Sequence, residues 1–151
     1  LFRSSKTISV STIIDKSLND VWSEVSILKN HTNWMKDAVN IEFLDEKTQG
    51  LGTKMKVLTK VGPIKLFDYM TVTEWIDKKS IGVDHVGIVT GKGKFTLEEL
   101  SSEQTKFTWK ETLKFPIYLA GPIGEFFGGP VLKLIWKNNL NGLKDLFENE
   151  K

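Results

Sequence analysis

The stretch Pro130–Phe147, PVLKLIWKNNLNGLKDLF, decides the fold because its apolar residues recur with the period of an α-helix. At about 100° per residue, apolar side chains fill roughly half of the helical wheel, and charged or amide side chains fill most of the rest. This arc is wider than a coiled-coil seam and suits a helix in the hollow of a strongly curved sheet. Such a helix often leaves a cavity beneath it. The arc contains Val131, Leu132, Ile135, Trp136, Leu140, Leu143, Leu146 and Phe147.

Two residues interrupt this arc. Asn139 is either a polar core residue bonded to a neighbour or a water, or a polar anchor that points into a cavity. Gly142 is expected to let the sheet come close to the helix.

The composition predicts one globular domain spanning residues 1–151. Apolar residues make up 40% of the chain and charged residues 26%, with both signs mixed, so the chain can build a core and is not typical of disordered proteins. The net charge is +2 and the basic residues are scattered, which gives no footprint for nucleic acid. The oligomeric state is not readable from the sequence.

The absence of cysteine excludes disulfides and cysteine-bound metals and favours a reducing compartment. No run reaches the roughly 20 apolar residues of a membrane span. The N-terminus, which begins at Leu1, lacks the apolar core of a secretory signal. We therefore expect a cytoplasmic protein without an integral membrane segment.

The N-terminal part of the chain predicts a strand and two short helices. Thr7–Ile14 alternates apolar and polar residues, as a half-buried strand does. Ser17 and Asp20 resemble a capping box before a helix, and Asn30–Met35 indicates a second short helix or turn. One face of the first helix carries Leu18, Val21, Trp22, Val25 and Leu28.

Trp34 and Met35 end this part of the chain and allow two interpretations. They are either a lid packed on the core, or an aromatic ring and a flexible thioether at the mouth of a pocket.

From Val39 onward the period is two, which indicates antiparallel strands with short connections. Val39, Ile41 and Phe43 form one apolar parity, and the strand Ile64–Ile76 is expected to bulge near Trp75. Another strand is predicted at Met55–Val61, and three more at Ile81–Val89, Phe95–Leu100 and Thr105–Phe115. The last two are joined by a turn at Ser101–Glu103. A short helical turn from Ala120 to Phe127 and a break at Gly128–Pro130 precede the long helix.

Five segments carry a resemblance to a known family: Ile14–Trp22, Asn33–Met35, Gly50–Thr53, Thr73–Trp75 and Phe107–Glu111. Together they resemble the START-like (SRPBCC) superfamily, in its polyketide cyclase/dehydrase and lipid-transport group. The resemblance covers nearly the whole chain. It implies an α+β helix-grip fold, in which a curved antiparallel sheet of about seven strands wraps around a long C-terminal helix, with two short helices after strand 1. It also implies a deep cavity for hydrophobic small molecules. The superfamily contains carriers and enzymes without one shared catalytic set, so no catalytic residue is implied.

Strand parity places four titratable residues in phase with apolar neighbours: Asp68, Glu74, His85 and Glu111. If the apolar faces point at the helix, these groups point inward, and burial would shift their pKa values as acid–base chemistry requires. The alternative is that bulges swap the phase, or that the groups pair with lysines at the rim of the sheet. A cluster of Asp68, His85 and Glu111 would hold His85 in one tautomer and raise its basicity.

Other chemistries find little support. The chain has two histidines, His31 and His85, in different elements and outside any metal-binding motif. No nucleophile elbow is present, and Gly87, Gly91 and Gly93 do not form a phosphate loop. These glycines are expected to permit curvature of the sheet, and no metal or other cofactor is predicted.

The sequence favours a protein that binds or carries an apolar, ring-bearing or acyl, small molecule in a cavity between the sheet and the C-terminal helix. An enzyme such as a cyclase, dehydratase or hydrolase using the same cavity, or a protein-interaction module with an open groove, remains an alternative. The candidate cavity residues are Trp34, Met35, Asp68, Met70, His85, Trp109, Glu111, Ile135 and Asn139.

Overall fold

The computed structural model describes residues 3–87, 90–116 and 130–149. These residues form a curved seven-stranded antiparallel sheet, two helical segments after the first strand, and a C-terminal helix, so the predicted helix-grip fold is confirmed. The strands are β1 (Arg3–Ile14), β2 (Ala38–Phe43), β3 (Lys54–Val61), β4 (Ile64–Ile76), β5 (Ser80–Gly87), β6 (Thr90–Ser101) and β7 (Gln104–Pro116). The helices are α1 (Leu18–Val25), a 3₁₀ helix (Leu28–Asn33) and α2 (Pro130–Glu148).

The sheet order is β1-β7-β6-β5-β4-β3-β2, so β2 to β7 follow one another as hairpins and β1 pairs with β7. Within β4 the register shifts between Val72 and Glu74, which confirms a bulge in this part of the strand. Strand β6 begins at Thr90, earlier than predicted, and therefore contains Gly91 and Gly93. The predicted end of β5 at Val89 lies outside the described residues.

The cap of α1 is confirmed, since the Ser17 hydroxyl accepts a hydrogen bond from the Asp20 backbone N–H at 3.2 Å. The helix ends at Val25, and Leu28 belongs to the 3₁₀ helix rather than to α1.

The predicted parity of β2 is wrong at its first residue. Ala38 is buried and Val39 is 48% exposed, whereas Ile41 and Phe43 pack against the core. The register shift between Ala38 and Asn40 explains the difference, because a bulge reverses the face on which the following residues lie.

The apolar arc of α2 forms one side of the core, as predicted. Leu132, Trp136, Leu140, Leu143 and Phe147 are buried, and Ile135 and Leu146 pack against them. Trp136 stacks on Trp109 of β7 with ring centroids 5.0 Å apart and planes 19° apart. The predicted turn Ala120–Phe127 and the Gly128–Gly129 pair lie outside the described residues. No helix in the described ranges is long and apolar enough to cross a membrane.

Gly142 lets α2 approach the chain at Trp34, not the sheet as expected. A Cβ built on Gly142 would lie 2.9 Å from the Trp34 carbonyl oxygen. This contact holds the segment after the 3₁₀ helix against α2.

Candidate functional site: a cavity with a carboxylate–histidine cluster

A cavity of about 140 Å³ lies between the sheet and α2. Most of its described wall is apolar, with Val57, Val83 and Leu113 on the strands and Leu132 and Trp136 on the helix. The polar part of the wall contains His31, Asp37, Thr59, Asp68, Lys94, His85 and Glu111.

His85 lies between two carboxylates in this wall. Its Nδ1–H donates to Asp68 Oδ2 at 2.5 Å, and its Nε2 lies 2.8 Å from Glu111 Oε2. The second contact is a close ion pair whose N–H is not aligned on the oxygen. The other oxygen of Glu111 accepts a hydrogen bond from the Trp109 indole N–H at 3.0 Å. We call Asp68, His85 and Glu111 the carboxylate–histidine cluster.

Two glycines on β6 make this cluster possible. His85 is on β5 and Glu111 is on β7, so β6 runs between them. The residues of β6 paired with His85 and Glu111 are Gly91 and Gly93, respectively. A Cβ on Gly93 would lie 2.7 Å from Glu111 Cδ, so only glycine leaves room for the carboxylate. Glu111 therefore reaches across a strand with no side chain in the way.

The charges of the carboxylates control the protonation of His85. Burial alone would lower the pKa of His85, but the charge of Glu111, with the hydrogen bond and charge of Asp68, raises it to about 10. Burial raises the pKa of Asp68, and the hydrogen bond from His85 partly opposes this rise. At neutral pH, His85 is thus an imidazolium whose two nitrogens both face carboxylates.

The pKa of His31 is shifted in the opposite direction to that of His85. Its Nε2–H donates to the Val25 carbonyl oxygen at 2.7 Å, which fixes the tautomer because a carbonyl can only accept. Burial lowers the pKa of His31 to about 4, and the bond to Val25 opposes this only partly. His31 is therefore neutral at neutral pH.

Asn139 connects α2 to the chain that enters β2. Its Oδ1 accepts from the Lys36 backbone N–H at 2.9 Å, and its Nδ2 donates to Asp37 Oδ1 at 2.5 Å. Burial raises the pKa of Asp37, while the hydrogen bond from Asn139 lowers it. Asn139 is thus a core residue bonded to neighbours, and Asp37 rather than Asn139 lies in the cavity wall.

The structure favours the first of the two interpretations of Trp34, a side chain packed on the core. Trp34 is 2% exposed and its ring is in contact with those of His31, Phe95, Phe107 and Trp109, so it belongs to the core rather than to a pocket mouth. Six of the nine candidate residues line the cavity: Met35, Asp68, Met70, His85, Trp109 and Glu111. Three are not part of the described wall: Trp34, Ile135 and Asn139. A role in ligand binding remains a prediction for all nine.

Glu74 follows the alternative in which a bulge swaps the phase and the side chain pairs with a lysine. The bulge between Val72 and Glu74 takes this side chain out of the phase of Asp68. Glu74 instead accepts from the Ser80 hydroxyl at 2.6 Å and pairs with Lys94 at 2.9 Å. The hydrogen bond from Ser80, followed by that from Lys94, lowers the pKa of Glu74.

Sequence reasoning missed His31 and Asp37 as wall residues. His31 lies within the short 3₁₀ helix and Asp37 precedes a bulged strand, so neither has a periodic neighbour that fixes its direction. The described residues contain no group of three or more histidine and acidic side chains that could hold a metal ion.

No protein-family model matches this chain, and no curated protein matches it significantly in sequence. Solved structures do match. An aromatase/cyclase from Streptomyces sp. R1128 is 13% identical with a TM-score of 0.77, over 96% of this chain and 94% of that one. A START superfamily protein from Mycobacterium smegmatis is 13% identical with a TM-score of 0.70, over 95% of each chain. Norcoclaurine synthase from Thalictrum flavum, solved with dopamine and hydroxybenzaldehyde, is 12% identical with a TM-score of 0.70, over 99% of this chain and 90% of that one. The chain has the START-like fold that its sequence resembles.

Proposed function

We propose that this protein binds a small hydrophobic, ring-bearing molecule in the cavity between the sheet and α2. The observation that carries the proposal is the cavity itself, whose described wall is mainly apolar with the carboxylate–histidine cluster as part of it. A dry apolar cavity of about 150 Å³ is large enough to bind benzene, so a volume of about 140 Å³ suits a single ring.

The cluster supports a ligand held in one orientation. Binding pockets are mostly apolar and use a few fixed polar groups for specificity. Asp68, His85 and Glu111 restrain one another, so they present a fixed polar surface beside the apolar wall. The ring would then lie against apolar side chains such as Val83 and Trp136.

The structural neighbours are compatible with this proposal. One is named as an aromatase/cyclase, and another was solved with two ring compounds. From the cysteine-free sequence we also propose that the protein works in the cytoplasm.

A second candidate is an acid–base enzyme that uses the same cavity, because two carboxylates contact one imidazole there. A general base works best when its pKa lies near the working pH. The pKa of about 10 leaves His85 protonated, which suits an orienting or proton-donating group better than a base. In an enzyme, Glu111→Gln would abolish turnover while leaving binding largely intact.

Mass spectrometry of molecules released from protein purified without detergent tests the binding proposal. We expect a ring-bearing compound in stoichiometric amount from the wild-type protein. Val83→Phe, which fills the cavity, should lose this compound, whereas Val86→Phe on the same strand should retain it because Val86 is 61% exposed. Equal retention by both variants, or no binding of ring compounds to the purified protein, would contradict the proposal.

A further inference from the structure

The polar part of the cavity wall contains two buried carboxylate oxygens that no described donor is aligned on. Asp68 Oδ1 is buried and has no hydrogen-bond partner among the described residues, and Glu111 Oε2 has only its unaligned contact with His85. An unpaired buried acceptor is costly, so each of these oxygens favours a donor that approaches from the cavity.

Three of the donors in the described wall already contact other groups. The Trp109 indole N–H is donated to Glu111, and the His31 Nε2–H is donated to Val25. The lysine of this wall, Lys94, has its ammonium 2.9 Å from Glu74. The other side-chain donors in this wall are the Thr59 hydroxyl, the Trp136 indole N–H and the His85 Nε2–H, which faces Glu111 without being aligned on it. The unpaired carboxylate oxygens, in contrast, need a donor that approaches from the cavity.

The charge of the cluster leads to the same conclusion. When Asp68, His85 and Glu111 are all ionised, two negative charges face one positive charge, and Asp37 adds a further carboxyl to the wall. An uncompensated negative charge is unfavourable in a buried site. An extra proton on a carboxyl would reduce this charge, and a cation bound beside the cluster would compensate it directly.

We propose that the ligand is a single-ring compound with a cationic amine, whose ring fills the apolar part of the cavity and whose ammonium donates to Asp68 and Glu111. The inference rests on the proposed function, since it assigns a chemical class to the ligand of that cavity. An ammonium has three donors and no acceptor, which matches the unpaired oxygens. A carboxylate of similar size would be repelled, and a plain hydrocarbon would leave the oxygens unpaired.

Isothermal titration calorimetry at pH 7 with four ligands of one size tests this assignment: benzylamine, benzyl alcohol, toluene and benzoate. We expect benzylamine to bind at least about tenfold more tightly than toluene, as expected for charge-assisted hydrogen bonds, and benzoate to bind most weakly. Asp68→Asn keeps the side-chain shape and should weaken benzylamine about tenfold while changing toluene less than about twofold. Glu111→Gln provides the same comparison if Asp68→Asn does not fold.

The outcomes separate the two proposals. Toluene binding without a preference for benzylamine would overturn the amine assignment and leave the proposed function intact. Benzyl alcohol binding as tightly as benzylamine, or benzoate binding more tightly, would also overturn it. Binding of none of the four would overturn both proposals.

Discussion

Gly93 on β6 and Glu111 on β7 are register partners, and the carboxylate of Glu111 occupies the space where a side chain of residue 93 would begin. Because residue 93 has no side chain, the Glu111 carboxylate can reach past β6 and contact His85 on β5. Neighbouring strands are about 4.8 Å apart, so the two residues come from strands about 9.6 Å apart. Gly93 is therefore required for the position of the Glu111 carboxylate.

Gly93→Ala should displace Glu111 and dismantle the cluster. The added methyl group would collide with the carboxylate, and we expect a loss of about 1–3 kcal/mol in unfolding free energy. The pKa of His85 should fall, because the charge of Glu111 is the largest of the effects that raise it. Chemical denaturation and NMR titration measure the two effects.

The matched control is the pair Glu111→Ala and Gly93→Ala/Glu111→Ala. Without the Glu111 carboxylate, Gly93→Ala should lower the unfolding free energy much less than it does in the wild-type protein. An unchanged pKa of His85 in Gly93→Ala would show that the contact between Glu111 and His85 does not depend on the glycine.

NMR titration of the two histidines should give widely separated pKa values, about 10 for His85 and about 4 for His31. The chain has only these two histidines, so two ring signals suffice. Glu111→Gln and Asp68→Asn should each lower the pKa of His85 and leave that of His31 unchanged. A His85 pKa near 6.5 in the wild-type protein would contradict the cluster.

The same pKa values set opposite effects of pH on stability. The pKa of His85 is raised by folding, so its contribution is complete below pH 6.5 and is lost as the pH rises toward about 10. The pKa of His31 is lowered, so its contribution is complete above pH 6.5 and is lost as the pH falls toward about 4. Denaturation between pH 6.5 and 10 should show a decline that His85→Gln removes; a decline of the same size in that variant would assign it to other groups.

Asn139→Ala should destabilise the protein by about 1–3 kcal/mol, because it leaves the Lys36 N–H and Asp37 without their partner. It should also raise the pKa of Asp37 further, since the bond from Asn139 lowers it. Asn138→Ala is the control, because Asn138 is the exposed neighbour on the same helix. Similar unfolding free energies for the two variants would contradict the role of Asn139.

Trp136→Ala should lower the unfolding free energy by about 3–5 kcal/mol, because Trp136 is a large side chain that is 5% exposed and stacked on Trp109. Leu134→Ala on the same helix should cost less than about 1 kcal/mol, since Leu134 is 59% exposed. Chemical denaturation of both variants checks the orientation of α2. A loss below about 1 kcal/mol for Trp136→Ala would place this ring outside the core.

The fold could be predicted because the spacing of apolar residues along a helix or strand indicates which of its faces is buried. Regularly spaced apolar residues indicate which face of α2 is buried, and that face lies in the core as expected. In the same way, the apolar neighbours of Asp68, His85 and Glu111 indicate that these three side chains point inward, and all three line the cavity. Parity fails at bulges, which is why Val39 points away from its predicted face and Glu74 follows the alternative in which the phase is swapped. A bulge near Trp75 was expected, but no local pattern shows on which residue a register shift falls.

The contact between His85 and Glu111 joins β5 and β7, which are separated by β6. The role of Gly93 could not be derived from its own segment, because it depends on the pairing of β6 with β7. The sequence leaves two interpretations open for Trp34, a lid packed on the core or a side chain at the pocket mouth. Its burial follows from ring contacts with His31, Phe95 and Trp109, which no local pattern contains.

The indole N–H signals of the five tryptophans offer the most direct test of ligand binding in this cavity. Trp109 and Trp136 line the cavity, whereas Trp22 and Trp75 contact each other outside its described wall. In an NMR titration with toluene, the signals of Trp109 and Trp136 should shift and saturate while those of Trp22 and Trp75 stay in place. Shifts confined to Trp22 and Trp75, or no saturable shift at any tryptophan, would contradict binding between the sheet and α2.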